Sequence, residues 1–354
     1  MSFIVKQSKD FKIFKSEQYN YIFNKHNGAL ARWGKNKDHD PDWCQFGPEI
    51  ADIEISKGKC SGNCGFCYKG NGTNQVAQNM TLDQFKTILS KLTDTLTQIA
   101  FGICDIDTNP NMWTMFEHAR NNGIIPNYTC NGFNVTNEVA KRTAQLCGAV
   151  AVSIVDKLTS LSAICRFIDN GCKQVNIHYM LSKQTYERAF EIVNTIKDIK
   201  GFQAVVFLQY KPKGRNKDKY DSLLEPKDYR RLVDYCDEND VSYGFDSCSC
   251  HLYLQCIKDK QDYDKIRLFT EPCESSAFSL YANCDGIFFP CSFLEGEAEW
   301  NEGLDLLHCD NFIQDVWMHP KTVQWRNKLL NNKRMCPHYF MGGKVSENTN
   351  SVCV

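Results

Sequence analysis

The stretch Ala51-Asp-Ile-Glu-Ile-Ser56, followed by Cys60-Ser-Gly-Asn-Cys64-Gly-Phe-Cys67, decides how this chain is read. The alternating apolar residues of 51–56 are the pattern of a β-strand. Three thiols at C-x3-C-x2-C spacing therefore sit on a loop that leaves a strand end. Three soft thiolates on one short loop suit three irons of a cubic iron–sulfur cluster and leave the fourth iron open to a small molecule. A zinc site is the alternative, although zinc usually takes four ligands in paired C-x2-C or Cys/His spacings.

Outward from this loop, strands and helices alternate. Helical periodicity covers 81–92, with Thr81 as N-cap, and 111–122, 137–147, 158–170, 186–197 and 227–239. Apolar strand runs fall between them at 98–104, 123–130, 149–155, 174–181, 204–210 and 241–246. Strands separated by helices of this length pair in parallel through crossovers. Seven strands with six crossovers are too few for an eightfold barrel. The expected fold is α/β, with loops at the carboxyl ends of the strands carrying the chemistry. Before it, residues 1–50 form an N-terminal extension with a β-hairpin turning at His26-Asn27-Gly28.

Composition narrows the classes. With 354 residues, the chain accommodates one large α/β domain and a smaller appendage. Its net charge of -1 gives no field favouring nucleic acid or an anionic membrane. It has no apolar run of spanning length and no secretory signal at its start. A reducing cytoplasm is the expected location, where 19 cysteines are not a disulfide framework.

The Cys60/Cys64/Cys67 motif, with Phe66 before its last cysteine and Tyr68 after it, resembles that of the radical S-adenosylmethionine (radical SAM) superfamily. The resemblance implies a partial (β/α)6 TIM-like barrel over residues 51–247. It also implies that the open iron of a 4Fe-4S cluster chelates S-adenosylmethionine, that Phe66 lies near the adenine, and that a 5'-deoxyadenosyl radical abstracts hydrogen from a substrate. Where that family has Gly-Gly-Glu-Pro, this chain has Gly102-Ile-Cys-Asp105-Ile-Asp107, so Asp105 or Asp107 takes the acidic role. Thr129-Cys-Asn131-Gly132 resembles the close of the third strand, which makes Asn131 a cosubstrate candidate or a turn former. Ser153 and His178 are further cofactor-binding candidates at strand ends, and a packed core histidine is the alternative for His178. Lys211 ends the sixth strand, where a buried lysine suits a carboxylate. The basic run Lys211–Lys219 lacks interleaved aromatics and reads as a solvated, mobile loop near the barrel mouth.

Nine of the cysteines lie from Cys248 onward. Cys273 and Cys291 flank a hairpin signal at Asp285-Gly286. They resemble the SPASM/Twitch auxiliary-cluster extension, as do Trp317, Trp325 and Cys336-Pro337. This implies a Cys-rich α+β domain over 248–354 with one auxiliary 4Fe-4S cluster on Cys273, Cys291 and Cys336. Its fourth ligand is open among Cys248, Cys250, Cys309 and Cys353. Zinc in the same place is the alternative.

The resemblance implies a peptide or protein substrate, with a small-molecule dehydrogenase or cofactor-biosynthesis enzyme as the second reading. It also implies an electron donor such as a flavodoxin or ferredoxin. The rival from another class is a zinc-stabilised protein- or RNA-binding protein without redox chemistry.

Overall fold

The computed structural model describes residues 2–36, 38–221 and 224–339. Four antiparallel strands open it: β1 (Ile4–Gln7), β2 (Phe11–Lys15), β3 (Asn20–Asn24) and β4 (Leu30–Trp33). The turn between β3 and β4 falls at the expected Asn27-Gly28, with Gly28 at φ +72°. The extension is thus a four-stranded sheet rather than a lone hairpin.

The central sheet begins at β5 (Ile50–Glu54). A short ribbon, β6 (Ser56–Lys57) with β7 (Gln78–Asn79), brackets the cysteine loop. Then come α1 (Leu82–Lys91), β8 (Gln98–Gly102), α2 (Met112–Asn121), β9 (Ile125–Cys130), α3 (Asn137–Leu146), β10 (Val150–Ser153), α4 (Lys157–Asp169), β11 (Val175–Leu181), α5 (Tyr186–Ile196), β12 (Ala204–Gln209), α6 (Pro226–Glu238) and β13 (Tyr243–Phe245). The parallel order β5-β8-β9-β10-β11-β12-β13 runs through successive crossovers. Thr81 caps α1 in a reciprocal box with Gln84, satisfying two donors that a helix start leaves free. Phe85, Ile88 and Leu89 then share one buried stripe, each contributing about 1.5–3 kcal/mol by leaving water.

Alternation on the strands separates two faces. On β11, Val175, Ile177, Tyr179 and Leu181 are buried towards the helices, while Asn176, His178 and Met180 line the inner face.

After α7 (Cys250–Cys256) and α8 (Tyr263–Leu268), the C-terminal third returns to the same sheet. β14 (Ser279–Ala282) pairs in parallel with β5, placing Tyr281 opposite Asp52. β15 (Ile287–Phe289) and β16 (Leu304–Asp305) follow antiparallel, giving ten strands in all among the described residues. Gly286, at φ +77°, makes the turn between β14 and β15. A π-helical turn (Ile313–Trp317) and α9 (Pro320–Asn331) complete the described chain.

The N-terminal sheet packs at the amino ends of β5 and β8. There Tyr21 donates to the Thr95 carbonyl at 2.8 Å and Lys12 to that of Leu96 at 2.6 Å. It therefore braces the end of the central sheet opposite the cysteine loop. No helix among the described residues is long and apolar enough to cross a membrane.

Candidate active site

The cysteine loop leaves β5 through β6 and returns through β7. Its neck is closed by main-chain bonds from Cys60 N to Gly72 O and from Gly72 N to Gly58 O, at 3.2 and 2.9 Å. Within it, Cys67 N donates to Cys64 O at 3.2 Å, and Asn63 takes a left-handed turn at φ +41°.

The three sulfurs act on one another electrostatically. Burial pushes the Cys64 thiol up to about 12, with the charges of Cys67 and Cys60 adding to the effect. Cys60 moves the other way, down to about 6. The Cys104 thiol donates to it, as do the Gly62 amide and the Asn131 amide, which lies 3.4 Å from the sulfur. A thiolate is the metal-binding form. The loop thus presents one ready thiolate and a neighbour whose deprotonation is opposed by like charge. A cationic iron–sulfur group relieves that repulsion, so this donor set fits one.

Asp105 and Asn131 converge on the loop. Asp105 accepts from the Ser61 amide at 3.0 Å, from its hydroxyl at 2.7 Å and from the Asn131 amide at 2.6 Å. Asp107 is directed elsewhere, to the Asn134 amide at 3.0 Å. Phe66 stands edge-on to Tyr220, with ring centroids 6.1 Å apart. Ser153 and His178 are register partners on the inner face. Burial lowers the His178 pKa to about 4, which makes the imidazole neutral near pH 7. Asp156, just beyond Ser153, is occupied as the cap of α4.

The basic run after β12 is exposed at residues 216–219, as expected of a solvated loop, but Arg215 is held against the cysteine loop. Arg215 N donates to Cys67 O at 2.9 Å. Its guanidinium donates to Asn63 Oδ1, Asn71 O, Gly70 O and Cys64 O at 2.6, 2.6, 3.2 and 3.4 Å. Gly214 permits this approach, because a Cβ there would lie 2.4 Å from the carbonyl oxygens of Cys67 and Tyr68. Charge composition gave no hint of it, since apart from Asn63 Oδ1 the donors are spent on main-chain acceptors that have no sequence signature.

Lys211 does not face open space. It is buried and paired with Asp246 at 2.9 Å, donates to Gln209 O at 3.0 Å, and lies 4.5 Å from the centre of the Phe293 ring. It also reaches the Cys248 thiol.

A second group of thiols gathers there. Cys248 is influenced by Cys273 and Cys291, Cys291 by Cys273 and Cys336, and Cys273 by Cys336. Burial raises the thiol pKa of Cys248, Cys273 and Cys291. Four thiols crowded in this way fit a cationic cluster by the same reasoning as the first three. Cys250 faces Glu271 and Arg334 instead. Cys309 lies beside Lys91, with its thiol 3.5 Å from Leu306 O. Cys353 lies outside the described residues. No disulfide joins the described cysteines, and no three His, Cys, Asp or Glu side chains among the described residues are grouped as ligands of a single metal ion.

Lys69, just past the first motif, ties the two regions together. It pairs with Glu54 of β5 at 3.0 Å, with Glu295, and with the Tyr281 hydroxyl at 2.6 Å. Tyr68 stacks on Phe293 at 4.3 Å.

Solved structures share this fold over most of the chain. In particular, the chain superposes on Streptococcus suis SuiB bound to precursor peptide SuiA with a TM-score of 0.71 and 14% identity. The match covers 96% of this chain and 99% of that one. SuiB bound to S-adenosylmethionine matches at 0.67 and 13% identity, covering 95% and 98%. Native anSMEcpe with bound AdoMet and Cp18Cys peptide matches at 0.58 and 17% identity, covering 78% and 82%. In sequence, neither a protein-family model nor a curated protein matches.

Proposed function

We propose that this protein is a radical SAM enzyme that modifies a peptide. The observation that carries the reading is the loop of three interacting thiols, anchored by Asp105, Asn131 and Arg215 at the carboxyl end of β5. Cys60, Cys64 and Cys67 would hold the catalytic 4Fe-4S cluster. When bound, that cluster supplies the electron that cleaves S-adenosylmethionine, and the resulting 5'-deoxyadenosyl radical takes hydrogen from the substrate.

The chain's own residues prepare this chemistry. Asn131 and Cys104 donate to Cys60, holding a thiolate ready for iron. Asp105 fixes the Ser61 end of the loop and would take the acidic role beside the motif. Phe66, steadied by Tyr220, offers a ring edge for the adenine, and Ser153 offers its hydroxyl to the cosubstrate. Neutral His178 can accept or donate one hydrogen bond without adding charge to the lumen.

An auxiliary cluster would be held by Cys273, Cys291 and Cys336, with Cys248 as the fourth ligand. Cys248 is preferred because its thiol is influenced by two of the other three, whereas Cys250 and Cys309 face other partners. Lys211 places a buried positive charge beside it. A peptide is preferred over a small molecule because SuiB and anSMEcpe structures contain bound peptides. A flavodoxin or ferredoxin would deliver the electron.

Anaerobically reconstituted protein tests this. It should be brown, absorb near ~400 nm, and on reduction give a cluster EPR signal that changes when S-adenosylmethionine is added. A colourless protein containing only zinc would refute the reading.

A further inference from the structure

Asp52 is the inner-face carboxylate that the proposed chemistry does not use. It sits two residues before Glu54 on the same face of β5, and the two differ in one respect. Glu54 is neutralised by Lys69 at 3.0 Å, whereas Asp52 makes no hydrogen bond or ion pair among the described residues. Asp52 is nonetheless deeply placed, and burial alone raises its pKa to about 7. Its carboxylate is close enough to influence the Tyr68 hydroxyl, one residue past the last cysteine of the motif.

Tyr281 stands opposite Asp52 on β14, and on the other side of Asp52 much of the inner face is built of small side chains. Ala100 and Asn127 continue the row from Asp52 across β8 and β9. Gly102 and Thr129 form the row above, and Ala151, Ala204 and Gly244 continue the inner face on β10, β12 and β13. A Cβ at Gly244 would meet nothing within 4 Å. Across this space, Asn176 and His178 have no side-chain hydrogen bond among the described residues. The nearby cations are already engaged: Lys69 by Glu54 and Glu295, and Lys211 by Asp246. A buried carboxylate left without a cation is costly.

We propose that Asp52 and the small-residue wall beside it form a pocket for a cationic side chain of the substrate, lysine or arginine, drawn into the barrel beneath the cysteine loop. This rests on the reading of the barrel lumen as the place where substrate meets the radical. It adds that the substrate is basic at the residue bound there.

The test uses n-butylguanidinium as a probe for the pocket and n-butylurea as its neutral isostere. Both are titrated calorimetrically into the full-length, anaerobically reconstituted protein containing S-adenosylmethionine. The guanidinium should bind wild type at least tenfold more tightly than the urea, and Asp52→Asn should remove that preference. Equal affinity of the two probes for wild type, or an undiminished preference in Asp52→Asn, would overturn the proposal. The wild-type comparison stands even where the variant folds poorly. Production of 5'-deoxyadenosine by the same preparation reports separately on the enzyme reading, so loss of one result does not stand in for loss of the other.

Discussion

The Arg215 guanidinium donates to the main-chain oxygen of Asn71 at 2.6 Å, linking the loop after β12 to the loop after β5. Three further acceptors on the cysteine loop share the same side chain. Arg215→Ala should loosen the cysteine loop, with a loss of about 2–3 kcal/mol from charge-assisted bonds. Iron retained per chain after anaerobic gel filtration should fall by half or more. Arg215→Lys should recover only part of it, since an ammonium cannot span four separated acceptors. Unchanged iron in Arg215→Ala would count against the clamp.

Gly214→Ala is expected to be more damaging than Arg215→Ala. Its Cβ would meet two carbonyl oxygens at 2.4 Å, at a backbone φ of +73° that suits glycine. Iron content and thermal unfolding of the two variants, measured side by side, decide the order.

Asp105 and Asp107 separate cleanly. Asp105→Ala removes the acceptor for the Ser61 amide, the Ser61 hydroxyl and Asn131. Affinity for S-adenosylmethionine, measured by equilibrium dialysis, should drop about tenfold or more, equivalent to about 1.4 kcal/mol. Asp107→Ala loses only a contact with Asn134 at the surface, and its affinity should match wild type.

Cys60 carries a pH signature. Its folded pKa of about 6 lies below the usual thiol value, chiefly because Cys104 donates to it. The thiolate therefore contributes stability that is fully present above the unfolded thiol pKa and is lost as pH falls through about 6. In iron-free protein, iodoacetamide should alkylate Cys60 with half-maximal rate near pH 6, while Cys64, near 12, stays unreactive at neutral pH. Cys104→Ala should move the Cys60 midpoint upward. A Cys60 midpoint near 9 in wild type would contradict the hydrogen-bonded thiolate.

The second thiol group gives an iron count. Two four-iron clusters correspond to about eight irons per chain, and the Cys60/Cys64/Cys67→Ala triple variant should keep about four. In the triple background, Cys248→Ala should lower that remainder, whereas Cys309→Ala should leave it unchanged. Retention of all remaining iron in the Cys248 variant would remove it from the ligand set.

Much of this was legible in the sequence. The inner-face pattern of Asn176, His178 and Met180 and the crossover helices with their buried stripes follow from periodicity alone, since buried parallel strands and amphipathic helices carry it locally. The pairing of Tyr281 with Asp52, which joins the C-terminal third to the central sheet, could not be read, because register between distant segments leaves no local mark. Arg215 was hidden for a related reason: a cation bound to carbonyls looks like one bound to water. Asp105 and Asp107 were equivalent as letters and are distinguished only by where the loop turns.

The central claim, that the three thiols after β5 support radical cleavage of S-adenosylmethionine, is tested most directly by 5'-deoxyadenosine formation. Anaerobically reconstituted wild type with S-adenosylmethionine and dithionite should produce it, and the Cys60/Cys64/Cys67→Ala variant should not. Iron-loaded wild type that produces none, or a triple variant that produces as much, would contradict the claim.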